Sequence, residues 1–338
     1  MTMAMLAEKL GVAQSTVSRA LANHPSISEE QRSRIQEAAT EYGYRPNPMV
    51  SALMAGRRHR TDGSPPTIAL LHYAKQQRDP PTPIWPSQYT DAIRDRCVAL
   101  GYRLEPLDPV KEGLSADRVS LILRTRGVQG VIIGPGLPNW FGDGRPFADF
   151  SLATYGSLEL QAQLHTALLD YYQGMTLALT KIAGAGKKRV LFCFDETLDR
   201  RLAHRWLAAS RIHRELAPQL SVLEWPFIWD QFDGQALLKT IREEKIEVVL
   251  THARLLPRAL NAAGMLQHRK PWLVGLNPFQ EFPEQSSIVD NRAAVGAAAV
   301  DLVVGQLHRH ERGFPETPKL VLTENGWNPG GADDWTEG

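Results

Sequence analysis

Between Thr67 and Asn277 the sequence alternates short apolar runs with amphipathic helical stretches, and this alternation restricts the fold more than any other feature. The runs TIALLHY (67–73), YRLEPL (102–107), VQGVIIG (128–134), KRVLFCF (188–194), IEVVLTH (246–252) and PWLVGLN (271–277) read as buried parallel strands. Helical patterns separate them at Tyr89–Leu100, Ala116–Thr125, Gln173–Ala183, Leu198–Leu216, Gln235–Glu243 and Leu255–Ala262. A strand apolar on both faces must be covered on both faces, so the helices flank a mostly parallel sheet. About 270 residues follow the SPP break at 64–66, enough for two doubly wound α/β lobes. Ligands are then expected in the crevice at the carboxyl ends of the strands.

The first 45 residues obey a different rule. Leu6, Leu10, Val12, Val17 and Leu21 can share one small cluster if two short helices meet at a sharp turn, which Gly11 supplies because it adopts positive φ without penalty. The second helix then runs near Gln14–Ala22. With Val17 and Leu21 facing inward, Gln14, Ser15, Ser18 and Arg19 must face out. Most polar helix faces only meet water, but these side chains also suit a major groove: Arg forks onto guanine, Gln onto adenine, and hydroxyls reach phosphate or base edges. Ser28 with Gln31 forms a capping box for a third helix, which carries Ile35, Ala38, Ala39 and Tyr42 before Gly43 stops it. In YRPNPMVSALMAGRRHR, Asn47 caps and Pro48 opens a helix of about two turns, too short to be stable alone. Two copies paired on a duplex could push an apolar side chain between base steps of the minor groove.

Charge points the same way. The overall +1 conceals a net +3 over residues 1–60 and −2 over the remainder, so a basic head sits on a slightly acidic body. Apolar residues make up 43% and charged residues 22%, ordinary for a globular protein. No run of about 18 apolar residues reads as a membrane span, and MTMAMLAEKL lacks a secretion pattern, so a cytoplasmic location is expected. Cys97 and Cys193 lie far apart and read as buried, reduced thiols. GAGKK (184–188) lacks the spacing of a phosphate loop, and His308 with His310 has no third ligand nearby. No hydrolase elbow or zinc cluster occurs, so no catalytic residue, metal or cofactor is assigned and the chain does not read as an enzyme.

Three stretches, LAEKLGVAQSTVSRAL, ISEEQRSRIQEAATEYGYRPN and PMVSALMAG, occur in an order and spacing that resemble the N-terminal domain of the LacI/GalR family of bacterial transcription regulators. The resemblance implies an all-α helix-turn-helix head on two doubly wound parallel-sheet lobes of the periplasmic-binding-protein-like type. The implied domains are a DNA-binding head at 1–45, a hinge helix and linker at 46–63, and an effector-binding and dimerisation body at 64–338. Within the body the N-lobe takes about 67–183 and 290–318 and the C-lobe about 187–288 and 320–338, with crossings near 183–186, 288–290 and 318–320. It further implies that Gln14, Ser15 and Arg19 read bases, that Ala13, Thr16 and Ser18 lie near phosphates, and that Asn47, Val50 and Leu53 belong to the DNA-contacting hinge, Leu53 as the wedge.

For the effector pocket the resemblance implies Ser87, Gln173, Arg205, Trp229, His252, Asn277 and Asp290. The sequence departs from the family at THAR (251–254), where an Asn-Asp pair is usual, and again at Asn277, which replaces a carboxylate. Such a pocket has lost negative charge, so an acidic or modified sugar joins the plain hexose as a candidate. Among the eight tryptophans, Trp85, Trp140, Trp206 and Trp229 could cover apolar sugar faces, although at least half of the eight are expected to pack the lobes. The tail GWNPGGADDWTEG carries no leucine heptad, which favours a homodimer on a palindromic duplex. The expected function is therefore a repressor controlled by a sugar-like effector. The alternative is a solute-binding receptor of a transport system, and a sugar-converting enzyme would need an overlooked carboxylate pair in the cleft.

Overall fold

The computed structural model describes residues 2–21, 26–44, 65–73, 85–160, 163–228, 231–253, 255–265, 271–279 and 281–331. The chain opens with three helices, α1 (Met3–Leu10), α2 (Gln14–Leu21) and α3 (Glu29–Glu41). Thr2 Oγ1 accepts the Met5 N–H at 3.3 Å and starts α1. Gly11, at φ +64°, ends it by turning its own N–H back to the Ala7 and Glu8 carbonyls. Ser28 Oγ accepts the Gln31 N–H at 3.4 Å, so the capping signature works as a cap. Leu6, Val17 and Ala20 are fully buried, and Ile35, Ala38 and Ala39 of α3 close over them. Gln36 Nε2 donates to the Ala20 carbonyl at 3.3 Å and ties α3 to α2.

The body follows as β1 (Thr67–Leu71), α4 (Trp85–Ala99), β2 (Arg103–Leu107), α5 (Ala116–Thr125), β3 (Gly130–Ile133), the short α6 (Pro138–Phe141), β4 (Ser151–Tyr155) and β5 (His165–Leu169). Next come α7 (Tyr171–Gly184), β6 (Arg189–Asp195), α8 (Glu196–Arg201), α9 (Arg205–Leu216), β7 (Ser221–Phe227), α10 (Gly234–Glu243), β8 (Val248–Thr251), α11 (Leu255–Ala262), β9 (Trp272–Gly275) and β10 (Ser286–Val289). The last elements are α12 (Arg292–Arg309), β11 (Leu320–Thr323) and β12 (Gly326–Asn328).

The strands form two six-stranded sheets, ordered β11-β5-β4-β3-β1-β2 and β12-β10-β9-β8-β6-β7. Among the described residues, the strands pair in parallel except β12 on β10. Pro106 and Pro226 sit in β2 and β7, the terminal strands, where a missing N–H breaks no ladder. Each sheet is covered on both faces by separate apolar clusters. Close crossing of α4 and α12 depends on Gly296, where an added Cβ would meet the Tyr89 carbonyl at 2.9 Å.

Two of the expected crossings move. Helix α7 packs through Met175, Ala178, Leu179 and Ile182 onto the second sheet, and β11 pairs with β5 in the first. The chain therefore crosses at Asp170, at Asp290–Asn291 and at Glu324–Asn325, rather than near 183–186 and 318–320; the middle crossing is shifted by about one residue. Lobe membership shifts accordingly: 171–184 joins the C-lobe and 320–323 the N-lobe. The expected single helix at 198–216 is also broken, because Ala203 and His204 take left-handed φ of 52° and 57° between α8 and α9.

The outer crossings are bonded to each other. Asn325 Nδ2 donates to the Asp170 carbonyl at 2.7 Å and to Gln173 Oε1 at 3.1 Å. The Asn325 N–H also donates to Gln173 Oε1 at 3.1 Å, and Gln173 Nε2 donates to the Asn325 carbonyl at 3.4 Å. Replacing Asn325 with Ala removes the two Nδ2 bonds, while the Gly174 N–H on the Asp170 carbonyl and the backbone bonds to Gln173 remain. Chemical denaturation of Asn325→Ala should show a body destabilised by about 1–3 kcal/mol, while helical signals from the head persist.

Candidate nucleic-acid interface and interlobe cleft

Helix α2 divides cleanly. Val17 and Ala20 are buried against α1 and α3, whereas Ala13, Gln14, Ser15 and Arg19 are exposed and Thr16 and Ser18 are partly so. This row carries one guanidinium, one amide and three hydroxyls on a helix held by a closed core, which is the donor and acceptor set that base edges and phosphates require. Lys9 lies 4.2 Å over the Tyr42 ring, on α1 rather than in this row. Asn47, Val50 and Leu53 lie outside the described residues.

In the body, the carboxyl ends of both sheets are tied to the crossings, so the residues that follow the strands face one cleft. His252 follows β8 and Asn277 lies just beyond β9, adjacent because the Leu276 N–H bonds the Thr251 carbonyl at 2.8 Å. Trp206 stacks on the His252 ring at 4.8 Å and 23°, and Phe227 lies near parallel to the same ring at 6.4 Å and 16°. Both rings are buried, and Trp206 covers one face of the imidazole. His252 Nδ1 is enclosed without a hydrogen-bond partner, as are both amide atoms of Asn277 and the Nε of Arg205. Native interiors rarely leave such groups unmatched, and the three on His252 and Asn277, at adjacent strand ends, suit an incoming polar ligand. Burial pushes the imidazole pKa down from 6.5 to about 4, against a smaller opposing pull from Asp195, so the ring is neutral near pH 7.

The other expected pocket residues divide. Gln173 has its amide engaged with Asn325 at the hinge. Asp290 is ion-paired with Arg292 at the middle crossing, where both side chains are buried. Arg292 also reaches Gln88 at 3.5 Å and lies 6.0 Å from the Tyr89 ring. Ser87 belongs to α4, with its side chain outside the described set, and Trp229 lies outside the described residues. The sequence reading overlooked Tyr171, which packs against a cluster of each lobe, and the Glu159–Arg201 pair, which joins them. Neither has a periodicity signal; only topology brings them together. A separate hollow of about 260 Å3 lies against α12 and β11, lined by His165, Asp301, Arg309 and Lys319, and shares no residue with the cleft.

A three-helix head of the helix-turn-helix kind followed by two covered parallel sheets, with the chain passing three times between them, defines a two-lobed α/β architecture with an N-terminal helical module. Residues 2–47 match the family model "Bacterial regulatory proteins, lacI family". Over 54 residues the chain is 48% identical to the HTH-type transcriptional regulator AglR of Rhizobium meliloti (strain 1021), covering 16% of this chain and 15% of that protein. Over 196 residues it is 26% identical to the NTD biosynthesis operon regulator NtdR of Bacillus subtilis (strain 168), covering 56% and 54%. These alignments thus span about one seventh and one half of the curated relatives. Among solved structures, the lac repressor dimer bound to operator and the anti-inducer ONPF superposes with a TM-score of 0.58 at 18% identity, covering 97% of each chain. The transcriptional regulator CelR–cellobiose complex gives 0.56 at 19%, covering 97% of this chain and 98% of that one. The head therefore matches the lacI family model, and the whole chain shares the fold of the lac repressor.

A histidine whose folded pKa lies below its ordinary value stabilises the fold fully above about pH 6.5 and progressively less as the pH falls towards about 4. For His252 the loss is at most about 3 kcal/mol. Thermal melts of wild type and His252→Asn at pH 7 and pH 4.5 should show a smaller acid-induced drop in the variant; equal drops would place the acid sensitivity elsewhere.

Proposed function

We propose that this chain is a sequence-specific transcriptional regulator, a repressor acting as a homodimer on palindromic duplex DNA in the cytoplasm, with operator affinity set by a small sugar-like effector held between the lobes. One observation carries the reading: a polar, basic helix face rides on a closed three-helix core, on the same chain as a cleft with unmatched buried polar atoms. The operator in the lac repressor complex and the cellobiose in the CelR complex support this assignment of partners. A transport receptor has no use for such a head.

In this reading Gln14, Ser15 and Arg19 contact base edges, and Ala13, Thr16 and Ser18 lie along the phosphates. Asn47, Val50 and Leu53 form the hinge element, Leu53 entering the minor groove, within the linker 46–63. Arg205, His252 and Asn277 hold effector polar groups from the C-lobe, with Ser87 and Trp229 completing the set. Gln173 and Asp290 act at the pocket margin through the hinge. Closure around effector alters the spacing of the paired heads, a population shift biased by the ligand's unequal affinity for the two states.

The test starts from an operator selected out of a random duplex pool, expected to be a palindrome of roughly 14–20 bp whose binding falls steeply with salt. Arg19→Ala should lose about 1–3 kcal/mol of discrimination at one base position of each half-site. Leu53→Ala should weaken operator binding and leave the thermal shift caused by sugars and sugar acids unchanged. Arg205→Ala should abolish that thermal shift and leave operator binding in place. Selection that yields no sequence better than random duplex would sink the reading.

A further inference from the structure

We propose that residues 199–205 form one strained turn that couples the pocket arginine to a latch across the cleft, with Asp199 and His204 as positioning residues for Arg205 and Glu159 as the N-lobe half of the latch. The proposal rests on reading the cleft as the effector site.

Ala203 and His204 are both left-handed, at φ 52° and 57°; two consecutive non-glycine residues there are uncommon, and the cost falls more on Ala203 than on His204. Such a pair persists only where its surroundings hold it. Asp199 does so twice. Its side chain is 1% exposed, with Oδ2 2.9 Å from His204 Nδ1, and its carbonyl accepts the His204 N–H at 2.8 Å and the Leu202 N–H at 3.1 Å. The chain reversal this enforces makes Arg205 the first residue of α9, followed by Trp206 on the His252 ring.

Two residues before Ala203, Arg201 reaches the other lobe. Its Nε and Nη2 donate to Glu159 Oε2 at 3.1 Å and 2.9 Å, and its carbonyl accepts the Leu158 N–H at 3.3 Å. Glu159 is itself steadied by Ser157, whose hydroxyl donates to Oε2 at 2.8 Å and accepts the Glu159 N–H at 3.2 Å. Residues 157–159 join β4 to β5 in the first sheet, whereas Arg201 ends α8 on the second. Opening the cleft must break these three bonds. With side chains 36% and 29% exposed, the ion pair is partly solvated and screened by salt, so it acts as a reversible catch. Because one short turn carries Arg201, the strained pair and Arg205, a ligand that draws Arg205 inward also moves the base of the catch.

The experiment is double electron–electron resonance on the full chain, with spin labels at exposed Val110 in the N-lobe and Leu216 in the C-lobe, in a Cys97→Ala, Cys193→Ala background. Wild type should give a narrow interlobe distance that broadens and lengthens in about 1 M salt. Glu159→Gln and Arg201→Gln should each broaden it at low salt, and the exchange Glu159→Arg with Arg201→Glu should restore the narrow peak. His204→Gly, which relieves the left-handed strain, should keep or raise the melting temperature yet broaden the distance; a merely structural His204 would change melting alone. Unchanged distances in both Gln variants would overturn the latch. The effector reading fails separately: if the Gln variants broaden the distance but neither cellobiose nor a panel of sugars and sugar acids shifts it in wild type, the latch stands without that ligand class.

Discussion

The two lobes have separate cores, and the arrangement depends on how little joins them. Tyr171 packs against a cluster of each lobe, at the first residue after the Asp170 crossing. Burial, with Tyr89 and Asp290 nearby, holds its hydroxyl well above the usual phenol range, so it stays neutral. Around it the connection is polar: Asn325 binds the Asp170 carbonyl and the Gln173 amide, and Arg292 pairs with Asp290. Hydrogen bonds between short crossing segments fix where the lobes pivot without fusing their apolar surfaces. A continuous core there would be close-packed and would resist any small rotation; a polar pivot lets the cleft have two states.

Much of this was legible in the sequence because periodicity reports local burial. Helices Ala116–Thr125 and Leu255–Ala262 form with the bounds their apolar spacing sets, and Gly11 and Ser28 act as a stop and a cap. What escaped depends on long-range placement. SLATY and HTALL are buried central strands, but their Ser, Thr and His interrupt the apolar run that marks a strand. Their hydroxyls are satisfied internally, Thr154 Oγ1 donating to the Ile133 carbonyl at 2.7 Å. The break at Ala203–His204 has no glycine, asparagine or proline to announce it; it exists because Asp199 holds it. The crossings were displaced for the same reason, since the sheet that captures α7 or β11 is decided by partners more than a hundred residues distant in some cases.

The tryptophans show how composition misleads when it is read as chemistry. Trp272 donates its indole N–H to Ser286 Oγ at 3.0 Å, and Trp140 donates its own to the Leu114 carbonyl at 2.7 Å; both are packing residues with satisfied polar tips. Trp206 is a different case, because its face is covered by His252 rather than left for a sugar. The aromatic contribution to the cleft is therefore indirect: it immobilises an imidazole and directs its edge. In the proposed reading, a ring held by stacking on Trp206 would lose little freedom when a ligand bonds to it, and hydrogen-bond direction at His252, with the Asn277 donor and acceptor nearby, would set specificity.

If the cleft controls the head as proposed, that control is a question of relative magnitudes. A ligand shifts a two-state equilibrium only by the difference in its affinity for the two states. The catch it must outweigh among the described residues is modest: a partly solvated ion pair, worth about 0–1 kcal/mol by itself, and a backbone bond of 3.3 Å at Arg201. Against them stand Arg205 Nε, His252 Nδ1 and Asn277, each enclosed and unmatched until something polar enters. Satisfying such groups is worth about 1–3 kcal/mol apiece, provided that the ligand meets them better in one lobe arrangement than in the other. Placing the unmatched atoms on the C-lobe and the weak catch between lobes puts that difference within reach of one small molecule.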